Sequence, residues 1–259
     1  MDRRRIVACV LVAAGLGWAL SLAAQTPPTI VVRPDAVRIG AFYAGAEVEV
    51  NGLLPAGAQV VVVVRGPDAE ARFNTKGRFG PIWANAGEAR ISGVPSLFLA
   101  FSSRPVAQLL ARAEVDRGQL DGRAIEAQMR VEPPARDRRE VRANYLKLKA
   151  GQGMLRTEEG SVRVQERGNQ SSYAVSFRWP KKAPPARYTV TAFAVRDAAI
   201  VGEASAQLPV TTVGVPARLA DLARQRATLY GLLCVLAATL AGLGIDFIAS
   251  RIGGRVSAH

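Results

Sequence analysis

Gln59-Val60-Val61-Val62-Val63-Val64-Arg65 is the stretch on which the fold turns. Consecutive β-branched residues favour extended backbone, and an unbroken apolar run suits a central strand covered on both faces rather than one with a wet side. Gly-Pro-rich residues 52–57 predict a turn before it, and Gly66-Pro67-Asp68 a turn after it. Upstream, residues 46–51 alternate, with Val48 and Val50 on one face and Glu47 and Glu49 on the other, the pattern of a half-buried strand. Residues 29–33 form a further short β-branched segment that Pro34 and Asp35 interrupt.

Downstream, the signals over 69–101 weaken. Lys76-Gly77 and Ala86-Gly87 predict turns between short strands that include Ile82-Trp83 and residues 89–91. At Pro105 the period changes: Val106, Leu109, Leu110 and Ala113 recur at helical spacing, with the proline suited to a first turn. Residues 120–131 continue with Ile125 and Met129 four apart. Residues 136–149 then place Val141, Tyr145 and Leu148 on one side of a helix. Past Gly151 and Gly153 alternation returns, in Val162 and Val164, in Tyr173, Val175 and Phe177, and in Tyr188, Val190 and Ala192. A proline-rich turn, 179–185, separates two of these strands, and residues 200–213 read as a last long strand.

Strands, then helices, then strands again fit either two domains or one sandwich with a helical insertion. The second buries the valine faces more economically. The expectation is therefore a mainly β, α+β chain: an immunoglobulin-like β-sandwich over 24–215, with a helical insertion at about 104–150.

The two ends set the expected topology. Arg3, Arg4 and Arg5 precede the uncharged run 6–20, and small residues follow, the layout of a secretory signal over 1–23 with cleavage after Ala23. Residues 229–249 form the longest apolar run. As a helix rising about 1.5 Å per residue they span roughly 31 Å, about the hydrocarbon core of a bilayer. Arg218, Arg224 and Arg226 precede this run and Arg251 and Arg255 follow it, so flanking charge does not set its direction. The signal does: an exported N-terminus and one stop-transfer helix leave the β domain in the periplasm. A juxtamembrane helix at 216–228 and a cytoplasmic tail at 250–259 complete a single-pass inner-membrane protein.

The phrases Phe42-Tyr43-Ala44-Gly45-Ala46, Arg65-Gly66-Pro67, Gly80-Pro81-Ile82-Trp83, Val94-Pro95-Ser96, Ser103-Arg104-Pro105 and Leu229-Tyr230-Gly231-Leu232 occur in that order. Together, over about 30–252, they resemble the family named "putative transmembrane protein" and described from alphaproteobacteria. The family carries no catalytic residues across to this chain. Its genes lie near permeases of the sulfite-exporter type, so the resemblance implies an accessory role beside a membrane transporter.

Chemistry is bounded by what the exported stretch lacks. Cys9 and Cys234 both fall in apolar segments and the single histidine is His259. Disulfide staples, His/Cys metal sets and Ser-His-Asp or Cys-His arrangements are thus excluded from the exported domain. A Ser-Lys dyad from Ser102 or Ser103 with Lys147 or Lys149 has no supporting spacing. Glu158-Glu159 reads as a solvated turn, because neighbours on an extended segment point to opposite faces. No catalytic, cofactor or metal residue is assigned, and the chain is expected not to be an enzyme.

Two contact regions remain. The chain carries a net charge of +13, which becomes +11 once the signal with its three arginines and one aspartate is removed. Nucleic acid is a poor partner for an exported chain, whereas anionic lipid is a near one. Arg138, Arg139 and Arg142 lie on the basic helix. They serve either a surface that meets lipid or an acidic partner, or the ordinary charged face of a packed helix. Within the apolar run, Asp246 with Ala238 and Gly242 marks either a contact for a partner helix or simply the membrane exit. The first functional expectation is a non-enzymatic, membrane-anchored interaction module, with a permease as one candidate partner. The second is an exported protein binding an anionic small ligand through arginines such as Arg65, Arg72 and Arg78.

Overall fold

A computed structural model describes residues 27–132 and 138–253, with the side chains of 75–79, 83, 85, 86, 138, 252 and 253 outside the described set. The segment 1–23 expected to be a signal, and residues 254–259 of the expected tail, therefore lie outside the described residues. The fold is mainly β, with helices in its middle and one long apolar helix near its end. Contacts divide the chain into two units: one made of the residues up to Ala36 and Gly45–Pro209, the other of Val37–Ala44 and Val210–His259.

In the first unit the valine run is strand β4 (Gln59–Arg65), hydrogen-bonded between β12 (Ala186–Arg196) and β7 (Phe98–Ser102), both antiparallel to it. Val60 to Val64 are all buried. The two sides of the pleat meet different covers. Val61 and Val63 join Phe98, Ala100, Ile91, Ile125, Met129 and Tyr145 in one apolar cluster. Val60, Val62 and Val64 point the other way. The sheet continues as β13-β12-β4-β7-β9, with β13 at Ala199–Thr212 and β9 (Leu155–Glu158) running parallel to β7.

A second sheet has the order β1-β3-β11-β10, from Val31–Arg33, Glu47–Pro55, Gln170–Arg178 and Arg163–Arg167. Its alternation is visible in burial: Val48, Val50, Tyr173, Val175 and Phe177 are inside, while Glu47 and Glu49 are outside. Aromatic contacts join the two sheets. Phe101 of β7 stacks on Phe177 of β11 at 4.6 Å between ring centroids, and Trp179 meets Tyr188 of β12 edge-on at 4.8 Å.

Several local expectations change. Strand β3 runs through Gly52 to Pro55, and the turn begins only at Ala56. Gly52 serves a close approach rather than a turn: a Cβ there would lie 2.0 Å from the Thr29 carbonyl oxygen and 2.8 Å from the Tyr173 ring. The short strands expected after 69 are one long hairpin, β5 (Asp68–Phe79) and β6 (Ile82–Pro95), reversing at Gly80-Pro81. Ala86-Gly87 falls at a register shift, where Thr75 faces Gly87 and Lys76 faces Asn85, so this glycine marks a bulge in a continuing strand.

The helical stretch is more broken than its periodicity implied. Helix α1 (Val106–Leu109) stops where Leu110 turns extended, and α2 (Arg112–Gly118) buries Val115 while Ala113 is exposed. Helix α3 (Gly122–Gln128) starts at Asp121, whose side chain accepts from the Ala124 N–H at 2.8 Å. Residues 130–132 then leave the helix as β8 beside β6, because Arg130-Val131-Glu132 alternates out-in-out. Helix α4 (Arg138–Gly151) ends with the Gly153 N–H on the Ala150 carbonyl and the Met154 N–H on that of Lys149. Gly153 has φ +72, the left-handed position this type of helix end assigns to glycine.

The second unit holds β2 (Val37–Ile39), which pairs in parallel with the last residues of β13, Val37 to Val210 through Ile39 to Thr212. Two helices follow, α5 (Val215–Gln225) and α6 (Ala227–Gly253). Arg226 between them has φ −137 and ψ 60, so the helical path is interrupted there.

Candidate functional site

A cationic cleft of the first unit grows from the outer face of β12 and β4. Alternation along β12 buries Tyr188, Val190, Ala192 and Ala194, and so turns Arg187, Thr189, Thr191 and Phe193 to the opposite side. Antiparallel pairing puts Thr189 across from Arg65, Thr191 across from Val63 and Phe193 across from Val61. Val63, Arg65 and the four β12 residues, with Gly66-Pro67 and the end of α2 at Gly118-Gln119, line a half-open cleft of about 320 Å³.

The local backbone holds the cleft in shape. Gly66 packs where a Cβ would come within 2.3 Å of Ser96 Oγ and 2.8 Å of the Tyr188 ring. Gln119 closes α2 in the left-handed region, φ 51 and ψ 47, a conformation with a cost for any residue but glycine. Its side-chain oxygen accepts a hydrogen bond from an Arg65 Nη1–H. The other terminal nitrogen of Arg65 lies 3.6 Å from Asp68 Oδ1, and the Arg65 side chain is 30% exposed. Thr189 Oγ1 accepts from Gln207 Nε2 at 3.1 Å, and the Thr191 and Ser205 hydroxyls are 2.9 Å apart, so a polar ladder borders the cleft. Arg187 is exposed.

Two guanidinium groups with amide and hydroxyl neighbours can bind an anionic group by charge and by paired N–H donors. The cleft offers no nucleophile paired with a base. A second cleft of about 380 Å³ lies beside α1 and mixes two arginines, Arg112 and Arg123, with two carboxylates, Asp121 and Glu159. There Arg112 lies 2.5 Å from Asp116 and from Asp121. Glu159, on its rim, accepts from the Val106 N–H at 3.2 Å and so caps α1, a role more specific than a solvated turn.

The arginines singled out in sequence separate in space. Arg65 lines the cationic cleft; Arg72 lies on the hairpin, 3.6 Å from Glu70 and 3.7 Å from Glu88; the Arg78 side chain is outside the described set. Sequence reasoning passed over Gln119, Arg187, Thr189 and Thr191. The polar half of β12, Arg187-Thr189-Thr191 at alternate positions, is the signal that could have found the last three.

On α4, Arg138 opens the helix but its side chain lies outside the described residues, and Arg139 is exposed. Arg142 donates from Nη2 to the Met129 carbonyl at 2.8 Å, so this guanidinium faces the fold rather than solvent alone. Tyr145 is buried edge-on to Phe73, with Leu146 against the same cluster, whereas Leu148 is 43% exposed. Burial raises the Tyr145 phenol and lowers the Lys149 amine, which sits 5.5 Å over the Tyr145 ring.

Ser103 Oγ accepts from the Val60 N–H and donates to Gln59 Oε1 at 2.9 Å, which occupies that hydroxyl structurally. Among the described residues no group of three His, Cys, Asp or Glu could hold a metal ion.

In the second unit, the most apolar stretch of Ala227–Arg251 has a mean hydropathy of 2.2, and none of it is buried by the chain itself. Ala238, Gly242 and Asp246 recur every four residues on this helix, and all three are exposed. Its length and composition are those of a membrane span. No curated protein matches the sequence. The family model described as "Putative transmembrane protein (Alph_Pro_TM)" matches residues 29–251, from the start of the β domain to the end of the apolar helix, and the chain belongs to that family.

Proposed function

We propose that this protein is a non-enzymatic interaction module of the bacterial inner membrane, with its β domain in the periplasm and a transporter, such as a permease of the sulfite-exporter type, as its partner. The observation that carries this reading is α6, an apolar helix long enough to span a bilayer and exposed at every residue from 231 to 251. Such a surface needs lipid or another membrane helix around it. The scaffold in this reading is of the immunoglobulin type. Support comes from the strand orders β1-β3-β11-β10 and β13-β12-β4-β7-β9, and from the Tyr188 hydroxyl near the start of β12, which donates back to Pro184.

Crosslinking in native membranes followed by mass spectrometry tests the partner, and reporter fusions at the C-terminus test the orientation. A reproducible permease crosslink and a fluorescent cytoplasmic fusion are expected. Self-crosslinks alone, or an active periplasmic phosphatase fused at the C-terminus, would refute the respective part.

The cleft between Arg65 and Arg187 favours a second reading, an anionic small ligand held at the outer face of β12. Titration calorimetry of the full chain in detergent with small carboxylates, sulfate and phosphate tests it. Heat that vanishes in Arg187→Glu supports the cleft, and no heat from any anion removes this reading.

A further inference from the structure

We propose that α5 is an interfacial helix, lying at the bilayer surface with Val215, Leu219 and Leu222 towards the acyl chains, and that its partner is anionic lipid rather than protein. The inference rests on α6 spanning the membrane and adds a second, in-plane contact.

The face is written in the sequence of α5. Val215, Leu219 and Leu222 recur at spacings of four and three and so share one side, while Asp221 and Arg224 fall on the far side and Arg218 and Gln225 flank the boundary. The apolar side is largely uncovered: Val215 is 63% exposed and Leu219 50%, Leu222 is half-buried, and no residue of α5 is fully buried.

Three observations select lipid as the occupant. The first is continuity, since the apolar helix begins at Ala227, two residues after α5 ends at Gln225, which puts α5 within one turn of the point where the chain enters the bilayer. The second is the interruption at Arg226, whose φ −137 and ψ 60 end one helix before the next begins. A helix continuing straight out of the membrane would need no such break. The third is charge: Arg218, Arg224 and Arg226 face a single acid, Asp221, and a basic amphipathic helix is the form that binds an anionic surface.

The test uses the full chain in vesicles of phosphatidylethanolamine and phosphatidylglycerol. Single cysteines are introduced as Leu219→Cys, Asp221→Cys or Leu236→Cys in a background carrying Cys9→Ser and Cys234→Ala, and each is labelled with an environment-sensitive nitrobenzoxadiazole dye. Lipids carrying a nitroxide at a shallow or a deep acyl position then report depth. The proposal expects a blue-shifted dye at 219 that shallow nitroxide quenches several-fold more than it quenches the dye at 221. At 236, deep nitroxide quenches more. Equal quenching at 219 and 221, with 236 still deep, overturns the interfacial helix while leaving the span intact. A dye at 219 shielded from both water and nitroxide marks a protein occupant and also overturns it. Loss of deep quenching at 236 removes the span and the proposal together.

Discussion

The Tyr188 hydroxyl donates to the Pro184 carbonyl at 2.6 Å, tying the first turn of chain before β12 to the strand itself. The ring is fully buried and meets Trp179 edge-on, so the hydrogen bond fixes both the loop and the largest aromatic group of the core. Tyr188→Phe keeps the ring and leaves the carbonyl without this donor. It should cost about 1 kcal/mol in urea unfolding of the detergent-solubilised chain.

The same burial predicts an alkaline limb of stability. Burial pushes the Tyr188 phenol up to about 12 and moves the Tyr173 phenol upward still further. A raised phenol binds its proton more tightly in the folded state. The stabilisation is therefore complete below the ordinary value of about 10 and is lost as pH climbs from there through 12. Melting temperatures followed from pH 8 to 12 should fall above 10, and less steeply in Tyr188→Phe.

Gly52→Ala should be among the most damaging single-methyl changes in the β domain. The added carbon would lie 2.0 Å from the Thr29 carbonyl oxygen, which is backbone and can retreat only by moving β1 away from β3. A loss of about 3 kcal/mol is expected, at the upper end of overpacking penalties, read from the shift in denaturation midpoint.

Glu159→Gln tests the cap on α1. The carboxylate accepts from the Val106 N–H across a separation of more than fifty residues, so its loss weakens both a helix start and a tertiary tie. About 1 kcal/mol is expected in equilibrium unfolding. Glu158→Gln should be nearly silent by comparison, as that side chain is partly exposed and its ion pair with Arg156 lies at the surface.

If an anion occupies the cleft, Arg187→Glu should abolish its binding with little change in melting temperature, because Arg187 is exposed and lies at the rim. Arg72→Glu, on the hairpin, should leave binding unchanged. Calorimetric titration of both variants separates a local cleft from diffuse attraction by a basic protein.

The valine run made the central strand legible because a strand buried on both faces needs no pairing information to be recognised. The exposed apolar helix was legible for the same reason: its composition alone states its solvent. The helical stretch was only half legible. Periodicity located Val106, Leu109 and Ile125, but the break at Leu110 and the departure of Arg130-Val131-Glu132 into β8 depend on β6, far away in sequence. Gly52 and Gly87 misled because glycine signals a turn, a bulge or a close approach with one and the same letter. The cleft was mostly hidden. Arg65 and Arg187 stand 122 positions apart in the sequence, and only the β4–β12 register brings them to one face.

Strand β13 carries a mechanical consequence. Its final residues pair in parallel with β2, and the chain then runs through α5 into the anchor. A tug arriving from the membrane side reaches β13 at its last residues, where the bonds of a parallel pair are evenly spaced and slanted. The Val37–Val210, Arg38–Thr211 and Ile39–Thr212 pairs would then be sheared together instead of being peeled apart one after another. Such a clamp resists load in one direction and yields readily in the other, so the junction is strongest against forces that stretch the tether.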